Sequence, residues 1–400
     1  MALLSARMNQ LKPSPTMAVT AKAAELRAAG KDVIGLGAGE PDFDTPDHIK
    51  QAAQDAMARG ETKYTPVGGT AALKKAIAAK FKRENELDYQ ASEIIVGAGG
   101  KQIIFNAFMA TLDAGDEVII PAPYWVSYPD IVLFAGGTPV VVNAPESASF
   151  KITPAQLEAA ITPKTKWMIL NSPSNPTGAA YTRDELEALG AVLAKHKHVM
   201  IMTDDIYEHL VYDGFTFYTL AQVCPQLKDR VLTCNGVSKA YSMTGWRIGY
   251  AGGPGALIKA MSNIQSQSTS NPCSISQAAA LAALEGDQAF LKDWCEAFAR
   301  RRNTTLAALQ AMEGVTCTKP EGAFYLFPGI HTLLGRKTMD GTVLQTDVDF
   351  CAYLLEHSLV AAVPGSAFGM DGHFRISYAT SDAALKEACQ RIEKAITALG

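Results

Sequence analysis

A lysine directly after a short apolar strand pattern is the residue of this chain best suited to covalent chemistry. Lys239 follows Ser238 and the run Arg230–Asn235, and Arg247 lies eight positions further on. The unprotonated amine of a lysine attacks carbonyl carbons and forms imines. A nearby guanidinium binds phosphate or carboxylate through two parallel hydrogen bonds. Taken alone, the same residues also fit an exposed loop, so the prediction of imine chemistry depends on other segments.

Three further segments carry polar residues at positions where strands end. Asn171–Gly178 reads Asn-Ser-Pro-Ser-Asn-Pro-Thr-Gly, which by itself is a turn. Thr203–Glu208 ends an apolar strand with Asp204 and Asp205 and has a tyrosine three residues later; by itself the acidic pair caps a helix. Gly97–Lys101 follows a strand with glycines that open a helix. Free backbone amides at such a helix start form an anion site.

Together and in this order, these segments resemble the class I aminotransferases, which are enzymes of pyridoxal phosphate (PLP) fold-type I. The likeness extends over essentially the whole chain. A finer resemblance to the bacterial subgroup 1b aspartate aminotransferases, several of which also act on prephenate, is carried by Gly35–Phe43, Pro121–Tyr128 and Phe374–Ala379.

The resemblance implies transamination between L-aspartate and 2-oxoglutarate, with oxaloacetate and L-glutamate as products, and conversion of prephenate to arogenate. An aromatic or alanine-type class I aminotransferase is the alternative. Cβ–S lyases and ring-forming synthases share the fold, and the motifs exclude them poorly.

The resemblance also implies a role for each residue at the cofactor. Lys239 would hold PLP as an imine and, once freed, move a proton at the substrate. Asp204 would keep the pyridine nitrogen protonated. Successive strand side chains face opposite sides, so only one of Asp204 and Asp205 can face the ring, and the family spacing to Tyr207 selects Asp204. The other implied cofactor contacts are Tyr207 and Asn175 at the phenolic oxygen, Trp125 on the ring, and Gly99, Gly100, Lys101, Ser238 and Arg247 at the phosphate.

Substrate contacts and a dimer follow from the same resemblance. Arg375 would grip the substrate α-carboxylate with Gly39 beside it, and Tyr64 would reach the phosphate of a neighbouring subunit in a two-fold homodimer. No arginine lies between Arg247 and Arg300, where animal and enteric aspartate aminotransferases carry the arginine for the side-chain carboxylate. The subgroup offers Lys12, Thr16 and Lys101 for the distal carboxylate, with Trp125 and Asn175 also near the substrate. Lys12 equally fits a solvated lysine near a terminus, Lys101 a lysine that opens a helix, and Trp125 a core aromatic.

The elements that must carry these residues alternate between strands and helices. Short β-rich runs occur at Glu93–Gly97, Glu117–Pro121, Thr138–Asn143, Lys166–Asn171, Val199–Asp204, Arg230–Asn235 and Arg247–Gly252, with helix candidates Lys101–Leu112, Ala155–Ala160 and Arg183–His196 between them. This alternation predicts an α/β fold with a mainly parallel seven-stranded sheet flanked by helices. Ligands are then expected beyond the carboxyl ends of the strands.

After Ser274 the pattern changes to that of a smaller α+β domain. A long helix at about 287–312 precedes strand-like runs and a closing helix capped by Ser381; the runs are Ala323–Phe327, Leu359–Val363 and Phe374–Tyr378. The short strand Val33–Gly37 is expected to return to this part. We therefore predict an N-terminal arm at 1–15, a small domain at 16–45 and 291–400, and a large PLP-binding domain at 46–290.

The composition argues against several other classes of protein. The 400 residues include 36 basic and 40 acidic side chains without a basic run, so neither a nucleic-acid nor an anionic membrane surface is expected. No DNA-binding domain fits ahead of the family match, which argues against a PLP-sensing transcription regulator. Seven cysteines without CxxC spacing indicate no metal site and fit a reducing compartment. The expectation is a cytoplasmic enzyme that lacks a signal peptide and a membrane span and acts on small molecules.

Overall fold

The computed structural model describes residues 3–5, 8 and 15–400, and of residues 15 and 16 only the backbone. Lys12, most of the predicted arm 1–15 and the side chain of Thr16 lie outside the described residues. The helices are α1 Pro15–Ala28, α2 Asp47–Ala58, α3 Ala71–Asn85, α4 Gly100–Thr111, α5 Ser127–Phe134, α6 Pro154–Ala160, α7 Arg183–Lys195, α8 Leu220–Val223, α9 Gly255–Ser266, α10 Ser274–Glu285, α11 Phe290–Gln310, α12 Asp347–Ser358 and α13 Asp382–Thr397. The strands are β1 Ile34–Gly35, β2 Ile94–Gly97, β3 Glu117–Ala122, β4 Thr138–Asn143, β5 Thr165–Asn171, β6 Met200–Asp204, β7 Val231–Gly236, β8 Gly249–Gly252, β9 Tyr325–Leu326, β10 Val360–Ala361, β11 Val363–Pro364 and β12 Phe374–Ser377.

A seven-stranded sheet in the order β2-β8-β7-β6-β5-β3-β4 forms the centre of the larger part of the chain. The strands from β4 to β7 pair in parallel, whereas β8 runs antiparallel to both β2 and β7. The prediction of a mainly parallel seven-stranded sheet with flanking helices is confirmed. Because β5, β6 and β7 end at the same edge, the polar residues that follow them meet there.

Apolar side chains fill both faces of this sheet. Along β3, Val118 and Ile120 pack on one face with α4 and α9, and Ile119 packs on the other with α3 and α7. Parallel strands that are covered on both faces need such continuous apolar runs. Within the described residues, no helix combines the length and the apolarity that crossing a bilayer requires.

A second core lies around two smaller sheets. Strands β11, β12 and β9 form an antiparallel sheet in that order, and β1 pairs in parallel with β10, with Ile34 opposite Val360. Helices α11 and α13 cover these strands through Phe298, Leu309 and Ile392. The predicted return of Val33–Gly37 to this part of the chain is therefore confirmed. The division into domains at residues 45/46 and 290/291 stays a prediction.

Three predicted strands begin later than expected, because the first residue of each predicted run has left-handed backbone. Arg247, Ala323 and Leu359 have φ values of 57°, 56° and 55°, which lie outside the pleated β region. Strand β8 therefore begins only at Gly249. The run Leu359–Val363 splits into β10 and β11, which belong to different sheets.

The capping box of α7 provides a test of local stability. The Thr182 side chain accepts a hydrogen bond from the Glu185 amide at 3.3 Å, and the Glu185 carboxylate accepts one from the Thr182 amide at 2.8 Å. Thr182→Ala is expected to lower the free energy of unfolding by about 1 kcal/mol, measured from urea unfolding at a fixed PLP concentration. Thr182→Ser keeps the cap and should match the parent. An unchanged unfolding midpoint for Thr182→Ala would show that the cap contributes nothing.

Candidate active site

A cavity of about 490 Å³ opens at the carboxyl edge of the parallel strands, between the two cores. It collects most of the residues that the sequence singled out: Gly39, Gly100, Lys101, Trp125, Asn175, Asp204, Tyr207, Ser238, Lys239, Arg247 and Arg375. Gly99 lies beside the guanidinium of Arg247, which lines the cavity. Tyr64 is not brought to the cavity of its own chain; it is 93% exposed and lines a separate pocket with α2 and α10.

Lys239 follows β7 and extends its amine into the cavity. Its Nζ donates a hydrogen bond to the Gly39 carbonyl and lies 5.8 Å from the centroid of the Tyr207 ring. Burial, followed by the positive charge of Arg375, lowers the pKa of Lys239 from 10.5 to about 8. An amine with this pKa is unprotonated in about a tenth of the molecules at pH 7, far more often than an ordinary lysine.

The two neighbouring aspartates at the end of β6 face opposite sides. Asp204 lines the cavity, and its carboxylate accepts a hydrogen bond from the Tyr128 hydroxyl at 2.6 Å. Burial raises the pKa of Asp204, while the hydrogen bond from Tyr128 acts in the opposite direction. Asp205 is buried away from the cavity, where it accepts a hydrogen bond from Thr203 at 3.2 Å. Of the pair, Asp204 is therefore the carboxylate available to a ligand.

Arg375 brings a guanidinium to the buried end of the cavity. Only 2% exposed, it donates to the Asn175 side-chain oxygen at 2.8 Å and to the Gly37 carbonyl at 2.6 Å. The rings of Tyr325 and Phe368 lie against it at 4.6 and 4.9 Å. Its Nε finds no hydrogen-bond partner among the described residues, and burial lowers the pKa of Arg375. A buried guanidinium with neutral partners is complementary to a carboxylate.

The start of α4 and Arg247 form an anion cradle. Gly99 precedes α4 with φ 87°, and no side chain caps the helix, so its first amides remain available to an anion. The Arg247 guanidinium donates to the Thr244 carbonyl at 3.0 Å. A Cβ on Gly99 would lie 2.2 Å from Nη2 of Arg247, and one on Gly249 would lie 2.3 Å from the Gly100 amide. Both positions therefore require glycine for the cradle to stay open.

The outer part of the cavity pairs a lysine with an indole. Nζ of Lys101 lies 4.9 Å from the centroid of the Trp125 ring. The side chain as a whole is exposed, but partial desolvation of its amine lowers the pKa of Lys101, and the charge of Arg247 adds to the effect. Among the described residues, those that line the cavity include four cations, Lys101, Lys239, Arg247 and Arg375, and two carboxylates, Glu40 and Asp204. This excess of positive charge favours ligands that carry several anionic groups.

Sequence reasoning missed three residues that hold the site in place. The Tyr325 hydroxyl contacts the Tyr207 hydroxyl at 2.8 Å, and Tyr128 binds Asp204. Asn171 donates to the Asp204 carbonyl and accepts from the Asn175 amide, both at 2.8 Å. Tyr128 and Asn171 lie inside segments that the sequence analysis assigned to the site, whereas no local pattern marks Tyr325.

The chemistry of these groups fits PLP. The cofactor needs an amine for covalent attachment, a carboxylate beside its ring nitrogen and an anion cradle for its phosphate. Lys239, Asp204 and the Gly99–Lys101 turn with Arg247 supply these three groups at one cavity.

Comparison with known proteins agrees with this chemistry. An aspartate/prephenate aminotransferase of Cereibacter sphaeroides is 62% identical over 393 residues, which cover 98% of each chain. The crystal structure of the aspartate aminotransferase from Rhizobium meliloti superposes with a TM-score of 0.97, at 57% identity and with full coverage of both chains. The aspartate aminotransferase of Thermus thermophilus, solved with maleate, gives a TM-score of 0.92 at 46% identity, with 99% of this chain and 100% of the other covered.

The family profile of aminotransferase class I and II matches residues 31–392, which is nearly the whole chain. The fold is accordingly that of the fold-type I PLP transferases. The chain belongs to the class I and II aminotransferases, which depend on pyridoxal phosphate.

Proposed function

We propose that this chain is an aspartate aminotransferase that also uses prephenate. It transfers the amino group of L-aspartate to 2-oxoglutarate, giving oxaloacetate and L-glutamate, and it converts prephenate to arogenate with glutamate or aspartate as donor. The relatives named for these substrates support this assignment.

One observation carries the proposal: Lys239 and Arg375 converge on the same cavity. Lys239 offers an amine with a pKa of about 8, and Arg375 offers a buried guanidinium that lacks an acidic partner among the described residues. Every α-amino acid and every 2-oxo acid has a carboxylate next to its reacting carbon. A guanidinium that binds this carboxylate orients the reacting carbon towards the lysine.

The cofactor contacts follow from the groups around the cavity. When bound, PLP supplies the carbon that takes up the amino group and a ring that accepts electron density from the substrate. Asp204 would hold a proton at the ring nitrogen, and Tyr207 with Asn175 would donate to the phenolic oxygen. Ser238, Arg247 and the amides of Gly100 and Lys101 would hold the phosphate, and Trp125 would pack on the ring. The Gly99 amide donates to the Gly97 carbonyl at 2.8 Å, so Gly99 would border the phosphate without donating to it.

Lys239 is the proton carrier in this proposal. A lysine whose pKa is near the working pH takes up and releases a proton readily. Nζ of Lys239 would remove the proton from the substrate Cα and would later return it to the carbon of the cofactor that carries the amino group. The Gly39 carbonyl accepts a hydrogen bond from this amine and holds it at the cavity, beside the carboxylate that Arg375 binds.

The second carboxylate of the substrate is assigned to the outer part of the cavity. Lys101 and Trp125 lie there, and Thr16 and Lys12 precede Met17, which also lines the cavity. Lys12 and the side chain of Thr16 lie outside the described residues, so their part in the proposal rests on the resemblance alone.

The assembly we propose is a two-fold homodimer with shared sites. Tyr64 is exposed and lines a pocket separate from its own cavity, as expected for a tyrosine that reaches the phosphate of a partner.

The seven cysteines form no disulfide, which supports a reducing compartment such as the cytoplasm.

The visible spectrum tests the proposed function. The band of the cofactor bound at Lys239 should bleach when L-aspartate is added and return with 2-oxoglutarate or prephenate. Lys239→Ala should lose aspartate turnover, whereas Lys195→Ala, which removes an exposed lysine on α7, should match the parent. A band that responds to aromatic amino acids or alanine but not to aspartate would favour the alternative substrates, and no band after addition of PLP would refute the proposal.

Lys101 provides a test of substrate specificity. Lys101→Ala should lower kcat/KM for L-aspartate and prephenate by about tenfold, the effect of losing one charged hydrogen bond. L-alanine has no second carboxylate and serves as the internal control, so its kcat/KM should change little. Equal losses for alanine and aspartate would place the effect at the cofactor phosphate instead.

Lys12→Ala tests the proposed role of the N-terminal lysine. It is expected to lower kcat/KM for both prephenate and oxaloacetate. Parent values of kcat/KM for both acceptors would remove Lys12 from the site.

The pKa of Lys239 predicts how cofactor uptake depends on pH. Imine formation needs the unprotonated amine, and a lowered pKa makes this form complete above about pH 8. The rate of PLP uptake by cofactor-free protein is divided by the rate of a free alkylamine with PLP, which cancels the titration of PLP itself. This ratio should stay constant below about pH 8 and then fall about tenfold per pH unit, because only the free amine continues to gain its reactive form. A ratio that stays constant to pH 10 would contradict the lowered pKa.

A further inference from the structure

The segment Gly37–Pro41 carries two carbonyls that fix the two most important cations of the site. The Gly37 carbonyl accepts a hydrogen bond from Arg375, and the Gly39 carbonyl accepts one from Lys239. Within the part of the chain that the structure describes, no backbone–backbone hydrogen bond involves an amide of this segment. Its position therefore depends on side-chain contacts and on the residues that hold its two ends.

Two hydroxyls also contact this region. The Thr244 hydroxyl donates to the Glu40 carboxylate at 2.9 Å, and the Ser242 hydroxyl donates to the Phe43 carbonyl.

The first end is held by the small sheets. The Leu36 amide donates to the Ala361 carbonyl at 2.9 Å, and the Leu36 carbonyl accepts from the Ser377 amide at 2.8 Å. These bonds join the segment to β10 and β12, and Arg375 belongs to β12.

The second end is held by one face of α11. Asp42 accepts two parallel hydrogen bonds from Arg301, at 2.8 and 2.9 Å. The next residue, Phe43, stacks on Trp294 with ring centroids 4.6 Å apart and meets Phe298 edge-on at 5.3 Å. Trp294, Phe298 and Arg301 are spaced four and three residues apart, so they share one side of the helix.

Arg301 is buried, and Asp42 accepts the two short hydrogen bonds of its guanidinium. Arg301 is 7% exposed, its Nε lacks a hydrogen-bond partner among the described residues, and the Asp382 carboxylate stays 3.8 Å away. Asp382 is paired at 3.1 Å with Arg300, the preceding residue on the helix surface. Removing Asp42 would leave a buried guanidinium without its strong partner.

We propose that Arg301 is a positioning residue for substrate binding. Through Asp42 it holds the Gly37–Pro41 segment so that the Gly37 carbonyl orients Arg375. This inference rests on the proposed function, because it assigns the α-carboxylate to Arg375. The α-carboxylate is common to every donor and acceptor, so loss of the Arg301–Asp42 clamp weakens the binding of all substrates alike.

Arg301→Lys tests the clamp, because lysine keeps the charge but cannot form the two parallel bonds. The KM for L-aspartate, the KM for 2-oxoglutarate and the Kd for maleate, a dicarboxylate used here as a non-reacting probe, should each rise about tenfold, while kcat stays within about twofold. The Kd is measured by titration of the PLP-loaded protein. Arg300→Lys makes the same change one residue earlier on α11 and should match the parent in all three values.

Asp42→Asn gives an independent variant in case Arg301→Lys folds poorly. It should raise the same three constants, and the double variant should rise no further than either single one, because both changes remove one interaction. A lowered melting temperature with parental KM and Kd would overturn the proposal and leave Arg301 a structural residue. Unequal effects on aspartate and 2-oxoglutarate would also overturn it. Failure of the parent to transaminate aspartate would instead count against the proposed function, and the Kd for maleate would still compare Arg301→Lys with the parent.

Discussion

The amine of Lys239 donates a hydrogen bond to the carbonyl of Gly39, and this contact joins the two parts of the molecule at the point where the cavity forms. Lys239 stands at the end of β7 in the seven-stranded sheet. Gly39 follows β1, which pairs with β10 in the smaller part of the chain. Arg375 enters the same cavity from β12. Neither core contains the complete set of groups, so the site exists only while the two cores are packed together.

Burial away from water shifts the pKa of the basic groups and the pKa of the acidic groups at this junction in opposite directions. Burial lowers the pKa of Lys239 and of Arg375, because it disfavours their charged forms. The same burial raises the pKa of Asp204 and of Tyr207. A ligand that brings anionic groups to the cations and a cationic ring to Asp204 restores the interactions that water would have supplied. The electrostatic cost of assembling the cavity is thus the source of its affinity for such a ligand.

Local patterns were sufficient to predict the sheet, whereas the residues at its edge were selected by the resemblance to the aminotransferase motifs. The two-residue period of β6 separated Asp204 from Asp205, and the box at Thr182 marked the start of α7. The prediction of a single strand over Leu359–Val363 was wrong, because β10 and β11 pair in different sheets and the chain breaks between them. No helix was predicted before Lys101, so α1, α2 and α3 were missed.

Contacts between distant segments were beyond the reach of sequence reasoning. Tyr325 meets Tyr207 across 118 residues, and Arg301 meets Asp42 across 259. No periodicity or turn signal marks either pair, since each contact joins segments that are remote in sequence and meet only in the tertiary structure. The residues proposed for the chemistry could be selected from motifs, whereas those that hold them in place depend on tertiary structure.

The burial of the cations separates the common part of the proposed reaction from the variable part. Every substrate shares the α-carboxylate, and the guanidinium assigned to it is 2% exposed and held by fixed neutral partners. The second carboxylate differs in reach between oxaloacetate and prephenate, and the group assigned to it, Lys101, is exposed at the rim. A lysine on a flexible four-carbon stem follows carboxylates at different distances, while a bidentate arginine fixes one distance. In a chain with no arginine between Arg247 and Arg300, a lysine at the rim therefore fits a site that takes an acceptor as large as prephenate beside the smaller dicarboxylic acids.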